Sequence, residues 1–172
     1  MNTFAAILQL LVAAAFLSIP VVRARYGAKA KAAAEAELTR QGVPVTVLAE
    51  NNLRFDAGGH ETVVPVSVSA VMVAVAGLNL AGNDWGHLLT WIFSSIVFLG
   101  NVAILYSNLT AVKGVEAAFK RKGDPMLLRI NVAAFLKAAE NAFPSWTWIL
   151  QNVRHTVVFA GSALALVATI VA

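Results

Sequence analysis

The chain contains no cysteine, which excludes disulfides, thiolate nucleophiles, iron–sulfur clusters and zinc–thiolate sites. Charge is scarce as well, at 13% of residues, against 59% hydrophobic residues and a mean hydropathy of +0.72. These values lie far from the soluble average. No glycine-rich phosphate loop, serine elbow, or paired carboxylates with a base occur, so the residues offer no support for an enzyme. Four apolar runs, 4–22, 63–80, 88–108 and 153–172, contain no aspartate or glutamate. A small proton-coupled exchanger needs an acidic group inside the membrane to bind proton and substrate, so that class is disfavoured too.

What charge there is follows a pattern. The 13 lysines and arginines fall in two stretches, six in residues 23–62 and seven in residues 109–154. Basic residues in short connections are retained on the cytoplasmic side of bacterial membranes. The expectation is an all-α integral membrane protein of the bacterial cytoplasmic (inner) membrane, a four-span helical bundle with both termini outside. Its transmembrane helices would be 4–22, 63–80, 88–108 and 153–172, each near the ~20 residues that a bilayer requires. The external turn would be 81–87, which has no basic residue. The first run is expected to be an uncleaved anchor, because Arg23 and Arg25 follow it, whereas a signal peptide carries its positive charge first. Net charge +4 and pI near 9.8 are accounted for by anionic lipid beside the basic segments, so no nucleic-acid partner is expected.

The cytoplasmic segments, 23–62 and 109–152, carry most of the folded-looking polar sequence. Ala28 to Leu38 is built of strong helix formers, with Lys31 and Glu35 one turn apart, and predicts a helix that continues the first span and stops at Gly42. Val43-Pro44-Val45-Thr46-Val47-Leu48, then Asn51-Asn52, Leu53-Arg54-Phe55 and Asp56-Ala57-Gly58-Gly59, alternates and turns as a cytoplasmic β-hairpin would. A lone hairpin is marginal in water and would need support. In the second segment, Lys120-Arg121-Lys122-Gly123 ends one helix, and Asp124 with Pro125 can cap the next. Leu128, Val132, Phe135 and Ala139 form one apolar stripe, which predicts an interfacial amphipathic helix. Lys120, Arg121, Lys122, Leu128, Val132 and Phe135 are therefore the expected lipid or partner contacts.

Asn101 is the expected site of intramembrane polar packing, since an amide at that depth is costly without a partner. His60 and His155 both fall at cytoplasmic ends of spans, where two-sided haem ligation is geometrically conceivable. Hydrogen-bonding interfacial histidines are the simpler expectation, and no cofactor or metal is assigned. Gly77, Gly82, Gly100 and Gly161 permit close helix packing. Gly123-Asp124-Pro125-Met126-Leu127-Leu128-Arg129 with Ala139-Glu140-Asn141 and Pro144 is similar to a motif of the small four-span glutathione-transferase-like membrane enzymes. In that family the motif follows the first span, whereas here it precedes the last, so the family is not assigned.

These features point to a non-catalytic platform that regulates or scaffolds another protein through its cytoplasmic segments. Such a chain would be a subunit of a complex or a phage-encoded exclusion or defence protein. Anionic lipid, a cytoplasmic or membrane protein and a second copy of the chain are the expected partners. The alternative is an oligomeric pore former or holin-like permeabiliser lined by the polar third span.

Overall fold

A computed structural model describes residues 2–55 and 59–170. Its elements are α1 (Asn2–Arg40), α2 (Thr46–Glu50), α3 (His60–Leu80), α4 (Asp84–Leu109), α5 (Ala111–Lys122), α6 (Pro125–Leu128), α7 (Val132–Asn141) and α8 (Trp146–Ile170). Four of them, α1, α3, α4 and α8, are long and apolar enough to cross a membrane. Contacts divide the chain into two compact units. The apolar unit comprises 1–20, 59–105 and 148–172; the polar unit comprises 21–58 and 106–147.

The apolar unit has its hydrophobic side chains on the outside. Ile7, Leu11, Val63, Val73, Leu88, Ile96, Leu99 and Val167 are all exposed, while Gln9, Ser69, Asn79, Thr90, Ser94, Asn101 and Ser162 are buried. That inversion suits a lipid solvent, in which apolar exteriors cost nothing and polar groups must be satisfied by neighbouring helices. A dry layer of Val12, Ala13, Phe16, Met72, Val97 and Val158 fills the middle of this unit. Packing is closest at two glycines. A Cβ on Gly161 would stand 3.0 Å from Val12 Cγ2, and one on Gly86 would stand 2.6 Å from Asn79 Oδ1 and 3.0 Å from the Asn79 backbone nitrogen. Gly77 and Gly100, also expected to mediate close packing, face open space.

The polar unit is built like a small soluble domain. Ala30, Ala34 and Leu38 repeat every fourth residue on α1 and are fully enclosed against Val43, Val47, Leu48, Phe119, Leu127, Ile130, Val132, Phe135 and Ala139. The two alanines let neighbouring elements approach the helix closely, while Phe55 meets Phe135 edge-on at 5.7 Å between ring centroids. Helix α1 ends at a Schellman motif: Val43 N–H donates to Leu38 O, Gly42 N–H donates to Thr39 O, and Gly42 has φ +72°. Val43 and Leu38 are also both buried, the apolar contact that this motif commonly adds.

Two sequence expectations need correction. No strand occurs among the described residues, and the hairpin is replaced by the single-turn helix α2 followed by a turn at Asn51-Asn52. The physical reason is that Val47 and Leu48 are both buried in one core. Adjacent strand residues point to opposite faces, whereas adjacent helix residues can share one. The hairpin's Asp56-Ala57-Gly58 lies outside the described residues. The helix expected to follow Asp124 is also divided. Asp124 caps α6, accepting from Met126 N–H at 2.8 Å with Pro125 behind it, but Asn131 starts a new helix by accepting from Ala134 N–H at 3.0 Å. In addition, α4 begins at Asp84 and α8 at Trp146, earlier than the apolar runs at 88 and 153.

Candidate functional site

Within the apolar unit, buried polar side chains gather at two levels. At the first, Thr90 is the hub: its hydroxyl accepts from Gln9 Nε2 at 2.8 Å and Asn79 Nδ2 at 2.9 Å, and donates to Gly86 O at 2.7 Å. Asn79 Nδ2 also donates to Gln9 Oε1 at 3.0 Å. One donor and two acceptor positions exhaust a hydroxyl, so this cluster ties α1, α3 and α4 together with Thr90 fully satisfied. Gly86 makes room for it, because the Asn79 side chain occupies the place of the missing Cβ. Close by in sequence, His87 Nε2 and Asn2 Oδ1 lie 2.9 Å apart.

At the second level His155 on α8 meets Asn101 on α4, with Nδ1 and Oδ1 3.0 Å apart. Both are buried, at 8% and 2% exposure. The amide oxygen can only accept, so Nδ1 carries a proton, and in the neutral ring Nε2 is left with its lone pair. Nε2, Asn101 Nδ2 and, on the same face of α8 two turns further along, Ser162 Oγ are buried without a protein partner among the described residues. Phe98 and Phe159 also meet, 5.2 Å apart. Going back three residues on α4 while going forward four on α8 makes these two helices antiparallel, so Ser94 and Ser162 stand level with one another. Asn101 therefore bonds between helices of its own chain. The His155 ring lies inside α8 and is itself part of the site, a role the sequence hid because Arg154 beside it made the segment read as interfacial. His60, its conceivable haem partner, has a side chain outside the described set. No group of three or more metal-binding side chains occurs among the described residues.

Within the polar unit, the predicted contact residues separate. Lys120, Arg121 and Lys122 are exposed at the C-terminus of α5, where their charge complements the helix dipole. Lys122 Nζ donates to Asn51 Oδ1 at 2.6 Å and joins the two segments of the unit. Leu128 is 53% exposed, and Met126 beside it is 44% exposed. Val132 and Phe135 have only 2% and 1% exposure. They are core residues of this unit, so the apolar stripe of α7 is already occupied by the chain itself.

A small network joins α1 to α7. Arg40 donates two hydrogen bonds to Glu37, at 2.7 and 2.6 Å, and Gln41 Nε2 adds a third at 2.7 Å. Gln41 Oε1 in turn accepts from Asn131 N–H at 2.8 Å. The hydrogen bonds from Arg40 and then Gln41 hold the Glu37 carboxyl down at about 2, and Glu37 raises the Arg40 guanidinium. A shallow cleft of about 260 Å³ lies between Lys31, Leu48, Asn52, Leu53, Arg54 and Phe55. Comparison with protein-family models, curated proteins and solved structures gave no match.

Proposed function

We propose that this chain is a non-catalytic protein of the bacterial cytoplasmic membrane whose polar unit is a platform that regulates or scaffolds another protein. The observation that carries this reading is the core of the polar unit. Short connections between spans need no core of their own. Here two segments far apart in sequence enclose Ala30, Ala34, Leu38, Phe119 and Phe135 and are joined by Gln41–Asn131 and Lys122–Asn51. Every lysine and arginine except Arg154 belongs to that unit. Retention of basic segments puts it in the cytoplasm, with both chain termini on the other side. A subunit of a larger complex and a phage-encoded exclusion or defence protein both fit this design.

The contact surface differs from the one that the stripe suggested. Because Val132 and Phe135 are enclosed, a partner or anionic lipid meets Met126, Leu128 and the cations Lys120, Arg121 and Lys122. The test is copurification of the tagged protein from its native membrane in mild detergent, beside a Leu128→Asp variant. A stoichiometric protein partner lost in the variant, with the polar unit still folded, is the expected result. Recovery of a homo-oligomer alone, equally from both, would overturn the platform.

An oligomeric pore or permeabiliser is the second reading, although the polar residues Thr90, Ser94 and Asn101 share the buried face of α4, and Thr90 and Asn101 already bond within the chain. It expects an ion leak from vesicles containing the purified protein, removed by Asn101→Leu. Against it stands the absence of a ring of charge along that face.

A further inference from the structure

We propose that His155 is a proton-binding site inside the apolar unit, with Asn101 positioning the ring so that Nε2 is the accepting atom. Three observations carry the assignment. The Asn101 carbonyl fixes the tautomer by taking the Nδ1 hydrogen, leaving a basic lone pair on Nε2. That lone pair and the Asn101 Nδ2 hydrogens are buried without protein partners. Nε2 lies on the side of the ring away from Asn101, so the acceptor and the amide donor are open separately and neither satisfies the other. Leaving both open is costly, since each unmade hydrogen bond forfeits the desolvation of its group. Plain interhelical packing would be served by an amide on each helix. An imidazole adds an ionisable group, and an ionisable side chain within a span marks a functional site by default.

The helices around it are not free of charge: α1 has no ionisable side chain in residues 2–20 but carries Arg23 and Arg25 beyond them, and α3 begins with His60 and Glu61 and has none from Thr62 to Leu80. Helix α4 brings Asp84 and His87 at its far end, at least 14 residues from Asn101, and α8 brings Arg154. The proton adds to Nε2 to give an imidazolium, and nothing else is transferred. Asn101 cannot pass the Nδ1 proton onward, because an amide is not a base at these pH values. Toward the Ser94–Ser162 level, Val97 on α4 and Val158 on α8 intervene within the dry layer, over a rise of roughly 10 Å. The site therefore binds a proton without conducting it.

Nitrogen-15 NMR of the full chain in lipid nanodiscs, with labelled histidine, tests this on the unmodified protein. Signals are assigned by His155→Gln or, should that variant not fold, by His60→Gln with His87→Gln. The expected result is an Nδ1–H tautomer for His155 at neutral pH that converts reversibly to the doubly protonated ring on acidification. A Nε2–H tautomer at neutral pH, or a ring that stays neutral down to pH 4, overturns the proposal. Vesicles containing the protein and a trapped pH-sensitive dye should acidify no faster than empty ones. A His155-dependent proton leak would overturn the closed site, and that result is separable from the loss of a protein partner at Leu128.

Discussion

The two units of this chain solve the same packing problem with opposite materials. In the polar unit, Ala30, Ala34, Leu38 and Phe135 are inside, while Lys120, Arg121 and Arg40 are outside. The apolar unit places Gln9, Asn79, Thr90 and Asn101 inside and Ile7, Leu11, Ile96 and Leu99 outside. Water drives the first arrangement by expelling apolar surface. Lipid gives no such drive, so the second depends on close packing at glycine and on hydrogen bonds between helices. One chain thus shows how solvent decides which side chains hold helices together.

The comparison is broken most severely by charge in the polar unit's core. Phe135→Asp removes an enclosed ring and inserts a carboxylate, and should cost more than the ~3–5 kcal/mol of a Phe→Ala change. Limited proteolysis should then cut 21–58 and 106–147 readily while the spans stay protected. Equal protection in variant and parent would refute the core. Gly86→Ala is the corresponding break in the apolar unit. Its methyl would collide with the Asn79 side chain and crowd the Asn79 backbone, so α3 and α4 must part and the Thr90 hub must open. Overpacking of this kind typically costs ~1–3 kcal/mol, measurable as a lower melting temperature in detergent. Thr90→Val, which keeps the shape and removes the hub, should cost less, near the ~0.6 kcal/mol average for interhelical hydrogen bonds in membranes, up to ~1.7. A larger loss from Thr90→Val than from Gly86→Ala would reverse the ranking.

These differences also explain which features were legible in the sequence. Helix ends were readable because their chemistry is local. Gly42 and Gly123 adopt positive φ, and Asp124-Pro125 forms a cap within its own few residues. The apolar helices were readable by length and composition. The hairpin was misread because alternation over Val43–Leu48 is a strand signature, and only burial of two adjacent residues in one core selects a helix. The stripe from Leu128 to Ala139 looked continuous because Asn131 falls between its apolar positions, where a cap and a polar surface residue look alike. The clusters at Thr90 and His155 were not legible as clusters, since their members lie up to 81 residues apart and meet only once the helices have packed. Asn131 tests the misreading directly. Asn131→Ala removes the cap of α7 and should cost ~1 kcal/mol, seen as a shift in the unfolding of the polar unit with the apolar unit unchanged.

The smallest expected effect concerns acid, and it should discriminate the two units. Glu37 is held at about 2 by hydrogen bonds from Arg40 and Gln41, below the ordinary carboxylate value of 4.5. A carboxylate whose folded value is depressed stabilises the fold above its unfolded value, and the contribution fades as pH falls through the folded one. Glu37 thus supports the polar unit fully above about pH 4.5 and loses that support toward pH 2. Arg40 stands open to solvent, so added salt should shrink the effect. Unfolding of the polar unit followed from pH 5 to pH 2 should show the loss in the parent chain and a flatter profile in Glu37→Gln. Glu37 also links, through Gln41, to the Asn131 N–H at the start of α7. Gln41→Ala should therefore lower the stability of α7 and raise the Glu37 value together, whereas a change in only one of them would show that the two contacts act independently.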